Sequence, residues 1–98
     1  INKVAFSNGG FPVNTILLQP DGKIIVGGSF VTAGGLTRIG LVRVTTSGFI
    51  DTTFDPESNN TVYALALDQS QTSFVVGGAF LTMRGVTRRG IARIGIDP

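Results

Sequence analysis

The chain has 98 residues, with eight basic and six acidic side chains and no histidine, for a formal charge of +2. With no cysteine there is no disulfide framework, thiolate nucleophile or thiolate metal site, and no apolar run nears the ~20 residues of a spanning helix, so membrane insertion is not expected. The isoelectric point of about 9.7 follows from a small arginine excess without a basic run, so nucleic acid is not an expected partner.

In chain order, residues 1–6 read as a short strand that ends on Phe6, followed by the loop Ser7-Asn8-Gly9-Gly10. A first full strand is expected over 13–18. Pro20-Asp21-Gly22 is a tight turn, with Gly22 suited to positive φ. A second strand runs over 23–29 and carries Gly27 and Gly28, which weaken a strand unless something packs close to bare backbone. Phe30, Phe80 or a neighbouring sheet is expected to fill that role. After a glycine-containing loop come a third strand over 39–45, the turn Thr46-Ser47-Gly48, and a fourth strand over 49–54. Residues 55–60 form a link, and beyond it the same unit begins again.

Between 24–46 and 74–96, ten of twenty-three positions are identical, which is enough to align the two units. Gly27-Gly28 returns as Gly77-Gly78, Phe30 as Phe80, Arg38 as Arg88 and Arg43 as Arg93. Strands are therefore expected at 62–67, 73–79 and 89–95. In the first of these Val62, Ala64 and Ala66 alternate with Tyr63, Leu65 and Leu67, a strand apolar on both faces and hence covered on both. Tyr63 is read as core. The second unit stops at Asp97-Pro98, where its own fourth strand would begin. Four short antiparallel strands recurring after roughly 49 residues are the pattern of propeller blades.

The string Gln19-Pro20-Asp21-Gly22-Lys23-Ile24-Ile25-Val26-Gly27-Gly28, with Phe30, Leu41-Val42-Arg43-Val44 and Asp51-Thr52-Thr53-Phe54, resembles the delta-60 repeat family. The second unit departs from it in lacking the Pro-Asp-Gly-Lys turn. The resemblance implies a β-propeller found in large bacterial secreted or surface proteins and in phage-associated proteins, and it brings no catalytic residues. The expected fold is thus all-β: an orphan outer strand and loop over 1–12, a blade over 13–61, and a blade over 62–98 that lacks its fourth strand. Two blades do not close a ring, and the opening Ile1 hints at a processed or partial product. The chain is either part of a longer propeller or a protomer whose copies complete one another, residues 1–6 supplying the missing strand. Three or four copies would give the six or eight blades of a closed ring. The expected setting is extracellular, cell-surface or virion.

Candidate chemistry is sparse. General acid–base catalysis needs a histidine or paired carboxylates. Asp21, Asp55, Asp68 and Asp97 fall in turns or at strand ends, where such side chains bond local backbone. Asp51 lies within a strand and is read as the partner of Arg43. Asp55-Pro56-Glu57 lacks a calcium-loop pattern; no enzyme activity, metal or cofactor is expected. Gly27, Gly28, Gly77, Gly78, Arg43, Arg93 and Asp51 are read as structural. Arg84 and Arg89 replace Gly34 and Ile39 of the first unit and are the candidate contacts for an anionic, sugar or protein ligand. Asn59-Asn60-Thr61 is a formal glycosylation sequon. The leading expectation is a structural or interaction module, with a carbohydrate-binding propeller as the alternative.

Overall fold

A computed structural model describes residues 6–7, 13–33 and 36–96, and every element among them is a β-strand. In the first unit β2 (Val13–Leu18), β3 (Ile24–Gly28) and β6 (Leu41–Val44) form an antiparallel sheet in the order β2-β3-β6. The second unit repeats it with β7 (Val62–Leu67), β8 (Ser73–Gly78) and β11 (Ile91–Gly95), in the order β11-β8-β7. The loop after each glycine pair holds a small hairpin that sequence reading missed: β4 (Thr32–Ala33) with β5 (Leu36–Thr37), and β9 (Thr82–Met83) with β10 (Val86–Thr87). Two-residue arms are too short to show an alternation. Gly40 and Gly90 end these excursions at positive φ, and their amides bond the carbonyls of Phe30 and Phe80.

Two expectations are corrected, and a third falls mostly outside the described residues. The fourth strand over 49–54 shrinks to a single bridge between Val44 and Ile50. Beyond it the Asp51 side chain accepts from the Thr53 amide and hydroxyl and turns the chain away from the sheet. Of the strand expected over 1–6 only Phe6 lies among the described residues. It opens β1 (Phe6–Ser7), which pairs with Thr32–Ala33 in the first unit. Tyr63 is not core: the register shifts between Val62 and Ala64, and Tyr63 is left 60% exposed.

Register explains where the core lies. Cross-strand partners share a face, so Thr15, Gly27 and Leu41 form one row of the first sheet and Leu17, Ile25 and Arg43 the next. That face meets the second sheet's Leu65-Val76-Ala92 and Leu67-Phe74-Ile94 rows. Between them Leu17, Ile25, Leu41, Val62, Phe74, Val76 and Ile94 are buried with Phe54, Phe80 and Met83 as one cluster. A smaller cluster of Val26, Phe30, Ala33, Val42 and Val44 occupies the first sheet's other face. The two sheets are stacked in the same sense. The second sheet's Ala64-Gly77-Ile91 and Ala66-Val75-Arg93 rows therefore repeat the buried face of the first, yet Ala64, Ala66, Ile91 and Arg93 are exposed.

The glycine pairs record this difference. A Cβ on Gly27 would stand 2.6 Å from Val62 Cγ1 and 3.0 Å from Thr15 Cγ2, so the second unit's first strand packs on bare backbone. A Cβ on Gly78 would strike the Thr61 carbonyl and come within 3.2 Å of the Phe80 ring. At Gly77 the nearest neighbours would be 3.9 Å away or more. Gly27→Ala is therefore expected to destabilise by about 1–3 kcal/mol, while Gly77→Ala, relieved of glycine's entropy cost in a strand, gains about 0.5–1 kcal/mol. Urea midpoints of the two variants check this, and Val62→Ala should recover part of the Gly27→Ala loss.

Candidate functional site

The most constrained polar group of the molecule is Arg43, which lies within a four-residue strand and is only 1% exposed. Its Nε donates to Asp51 Oδ2 at 2.9 Å. Nη1 donates to the Ile96 carbonyl of the second unit at 2.7 Å and approaches Gln19 Oε1 at 3.5 Å. The guanidinium lies over the Phe54 ring, 4.6 Å from its centroid, and Phe54 in turn stands 6.1 Å from the Phe74 ring across the interface. A planar cation with several donors can hold a carboxylate, a carbonyl and an aromatic face together, which a lysine cannot. Lys23 approaches the same Asp51 oxygen at 3.4 Å from its more exposed side.

Burial would push the Asp51 carboxyl up, but the two Thr53 bonds and the Arg43 guanidinium outweigh it and hold the group down at about 2, against an ordinary value of 3.8. A lowered folded value means the native state binds fewer protons in acid. The stabilisation is complete above about pH 4 and is lost as the pH falls through about 2. Asp21 is lowered chiefly by the Lys23 amide, and Asp68 by the Ser70 and Ser73 hydroxyls, so both add to this acid limb.

Arg93 takes Arg43's place in the second unit with different surroundings. Nη1 donates to Asp68 Oδ2 at 2.6 Å and to Ser73 Oγ at 3.3 Å, and the side chain is 62% exposed. Asp68 aligns with Gln19, so a carboxylate stands where the first unit has a neutral amide. Arg38 and Arg88 correspond more closely: each donates Nη1 to the preceding threonine carbonyl, at 2.8 and 3.0 Å. Arg38 adds an ion pair of 3.4 Å with Asp55.

Of the two arginines proposed as ligand contacts, Arg84 occupies the β9–β10 turn and donates its amide to the Pro56 carbonyl at 2.7 Å. Arg84 and Gly85 both have positive φ, 55° and 76°, as a two-residue hairpin turn requires. Arg84 lines a cavity of about 110 Å³ with Met83, Val86, Arg88 and Arg93. Arg89 does not line it, so the structure does not bring the pair into one pocket. Sequence reading missed a larger cleft of about 380 Å³, walled by Thr37, Arg38, Ile39, Asp55, Glu57 and Ser58 at the link between the units. The recurrence of Arg38 with an acid in the following link was the available signal. Asn59 of the sequon accepts from the Leu81 and Thr82 amides through its side-chain oxygen. Among the described residues no group of three or more acids converges as a metal site would.

Arg43→Ala leaves Asp51 buried without its partner and is expected to cost about 3–5 kcal/mol in urea unfolding. Asp51→Asn should flatten the stability profile between pH 4 and 2 relative to the wild type. Arg84→Gly relieves a left-handed conformation and should add about 1 kcal/mol in thermal unfolding; a loss instead would mean that the side chain supports the fold.

No curated protein and no solved structure matches the chain. Residues 19–54 do match the family described as domain of unknown function (DUF5122) beta-propeller. That span runs from Gln19 to Phe54, and it contains every side chain that the first unit contributes to the Arg43 cluster. Over that span the chain is similar to that β-propeller family.

Proposed function

We propose that the chain is a non-enzymatic structural or interaction module of a secreted, cell-surface or virion assembly, and that it works by stacking blades. The observation that carries this reading is the second sheet's outward face. Its rows duplicate a face that the first unit packs into the core, and it leaves Ile91 63% exposed beside Ala64, Ala66 and Val75. At the other end Ile16 and Leu18 are 59% and 66% exposed, while their counterparts Leu65 and Leu67 pack against the core. Two faces that are complementary inside the chain and exposed at its ends fit a head-to-tail contact, which closes into a ring when the rotation permits. The carboxylates support a structural role: Asp51, Asp55 and Asp68 are each engaged by an arginine.

The second reading is carbohydrate binding at the link. It draws on the 380 Å³ cleft, where Thr37, Arg38, Asp55, Glu57 and Ser58 offer donors and acceptors on loops held by the sheets.

The particle mass in solution tests the leading reading. A discrete multimer is expected, and Ile91→Lys should return it to monomers without unfolding the chain. A monomer at all concentrations would contradict stacking between copies. Reproducible binding on a glycan array, lost in Arg38→Ala, would favour the second reading.

A further inference from the structure

The link between the units is tied down along its length and open on one side. Phe54, Pro56 and Ser58 are buried, while Asp55 and Glu57 between them are exposed. The Pro56 carbonyl accepts from the Arg84 amide at 2.7 Å, and Ser58 Oγ donates to the Asn60 carbonyl at 3.0 Å. Asn59 Oδ1 accepts from the Leu81 and Thr82 amides. A loop held at these points presents its exposed side chains in fixed places. With Thr37, Arg38, Ile39 and Ser58 they line the cleft of about 380 Å³.

Two opposite charges on this cleft are unused. Among the described residues Asp21, Asp51, Asp55 and Asp68 are each engaged through their side chains, and Glu57 is the acid whose carboxylate meets no partner. Arg38 makes both of its polar contacts through Nη1, to the Thr37 carbonyl at 2.8 Å and to Asp55 Oδ2 at 3.4 Å. Its Nε is buried and has no acceptor, a costly state for a guanidinium donor. Arg38 pairs with Asp55 and not with Glu57, although both acids share the cleft with it.

We propose that the link cleft binds a small molecule that carries both an ammonium and a carboxylate, an amino acid in its zwitterionic form. The ammonium meets Glu57, the carboxylate meets the Nε–Nη2 edge of Arg38, and the carbon stem lies against Ile39. That edge is the side-on fork of a guanidinium, which matches a carboxylate at two points. The 3.4 Å contact with Asp55 is the longer of the two that hold Arg38, and a ligand carboxylate that replaces it lets the guanidinium turn and gives Nε its acceptor.

Each simpler ligand leaves one charge unmatched. An anion at Arg38 would face Asp55 and Glu57, and a cation at Glu57 would leave Nε orphaned. A neutral sugar would cover both groups and neutralise neither. The proposal goes beyond the module reading, which gives the chain no small-molecule ligand, and it differs from the sugar reading of the same cleft in requiring both charges.

Titration of the whole chain with glycine, γ-aminobutyrate and ε-aminocaproate, followed through backbone amide chemical shifts, tests this. The probes differ in the distance between their charges, so the tightest of them measures the span from Arg38 to Glu57. Saturable shifts at Ile39, Glu57 and Ser58 are expected at millimolar concentrations. Butylamine and butyrate, each with one of the two charges, should bind roughly tenfold more weakly or worse. Glu57→Gln changes an exposed side chain with no partner, so it should keep the fold and lose about tenfold in affinity for the tightest probe. No saturable shift with any amino acid, equal binding of butylamine or butyrate, or indifference to Glu57→Gln would each overturn the proposal. Saturation by glucose without a response to the amino acids would overturn it in favour of the sugar reading. The particle mass is read separately, so failure here leaves the module reading standing.

Discussion

The guanidinium of Arg43 is the group on which the joint between the two units depends. A full charge at 1% exposure is tolerable only where it is paired, and Arg43 is paired through Nε and Nη1 although its buried Nη2 meets no partner. Here one donor goes to a carboxylate of its own unit and another to a backbone carbonyl 53 residues away. The Ile96 bond does what apolar packing cannot, because it fixes the end of β11 against a particular point of the first sheet. Phe54 and Phe74 continue the contact as a tilted aromatic pair. The same cluster bends the chain: Asp51, held by Arg43, uses its other oxygen on Thr53 and ends the fourth strand after one bridge.

Because the units repeat, each device appears twice in different states. Gly27 is overlain by Val62 and Gly77 by little. Arg43 is enclosed and Arg93 is mostly in water. Burying the outward face would place Arg93 where Arg43 is, with Asp68 already beside it. Stability is expected to be uneven for the same reason. Among the described residues the central strands β3 and β8 are paired on both edges, whereas the outer strands β2, β7 and β11 are paired on one, so local opening should begin at the outer strands.

The strands at 13–18 and 62–67 were legible to the residue, because turn residues bound them and their alternation is clean. The all-β class and the repeat came from the recurrence of Gly-Gly-x-Phe and of the arginines. Asp51 as the partner of Arg43 was readable as a lone acid within a strand, opposite a recurring cation. Other features were hidden for physical reasons. The β4–β5 and β9–β10 hairpins have arms too short for a period. Tyr63 looked like core because alternation assumes an unbroken register, and the bulge at 62–64 breaks it. The Ile96 carbonyl carries no sequence signal, since any residue supplies one. Nor could sequence place Arg89 outside the cavity that Arg84 lines, because the hairpin between them sets their separation.

Hydrogen exchange of the backbone amides, compared between the wild type and Arg43→Met, tests the joint most directly. Methionine keeps much of the apolar volume and removes the bonds to Asp51 and to the Ile96 carbonyl. In the wild type β3 and β8 are expected to exchange with similar protection, as one cooperative unit. In the variant, β11 and the 91–96 segment should lose protection first, and β8 should separate from β3. If protection falls equally throughout the chain, or if only the 49–54 segment is affected, Arg43 stabilises its own blade and does not fasten the two together.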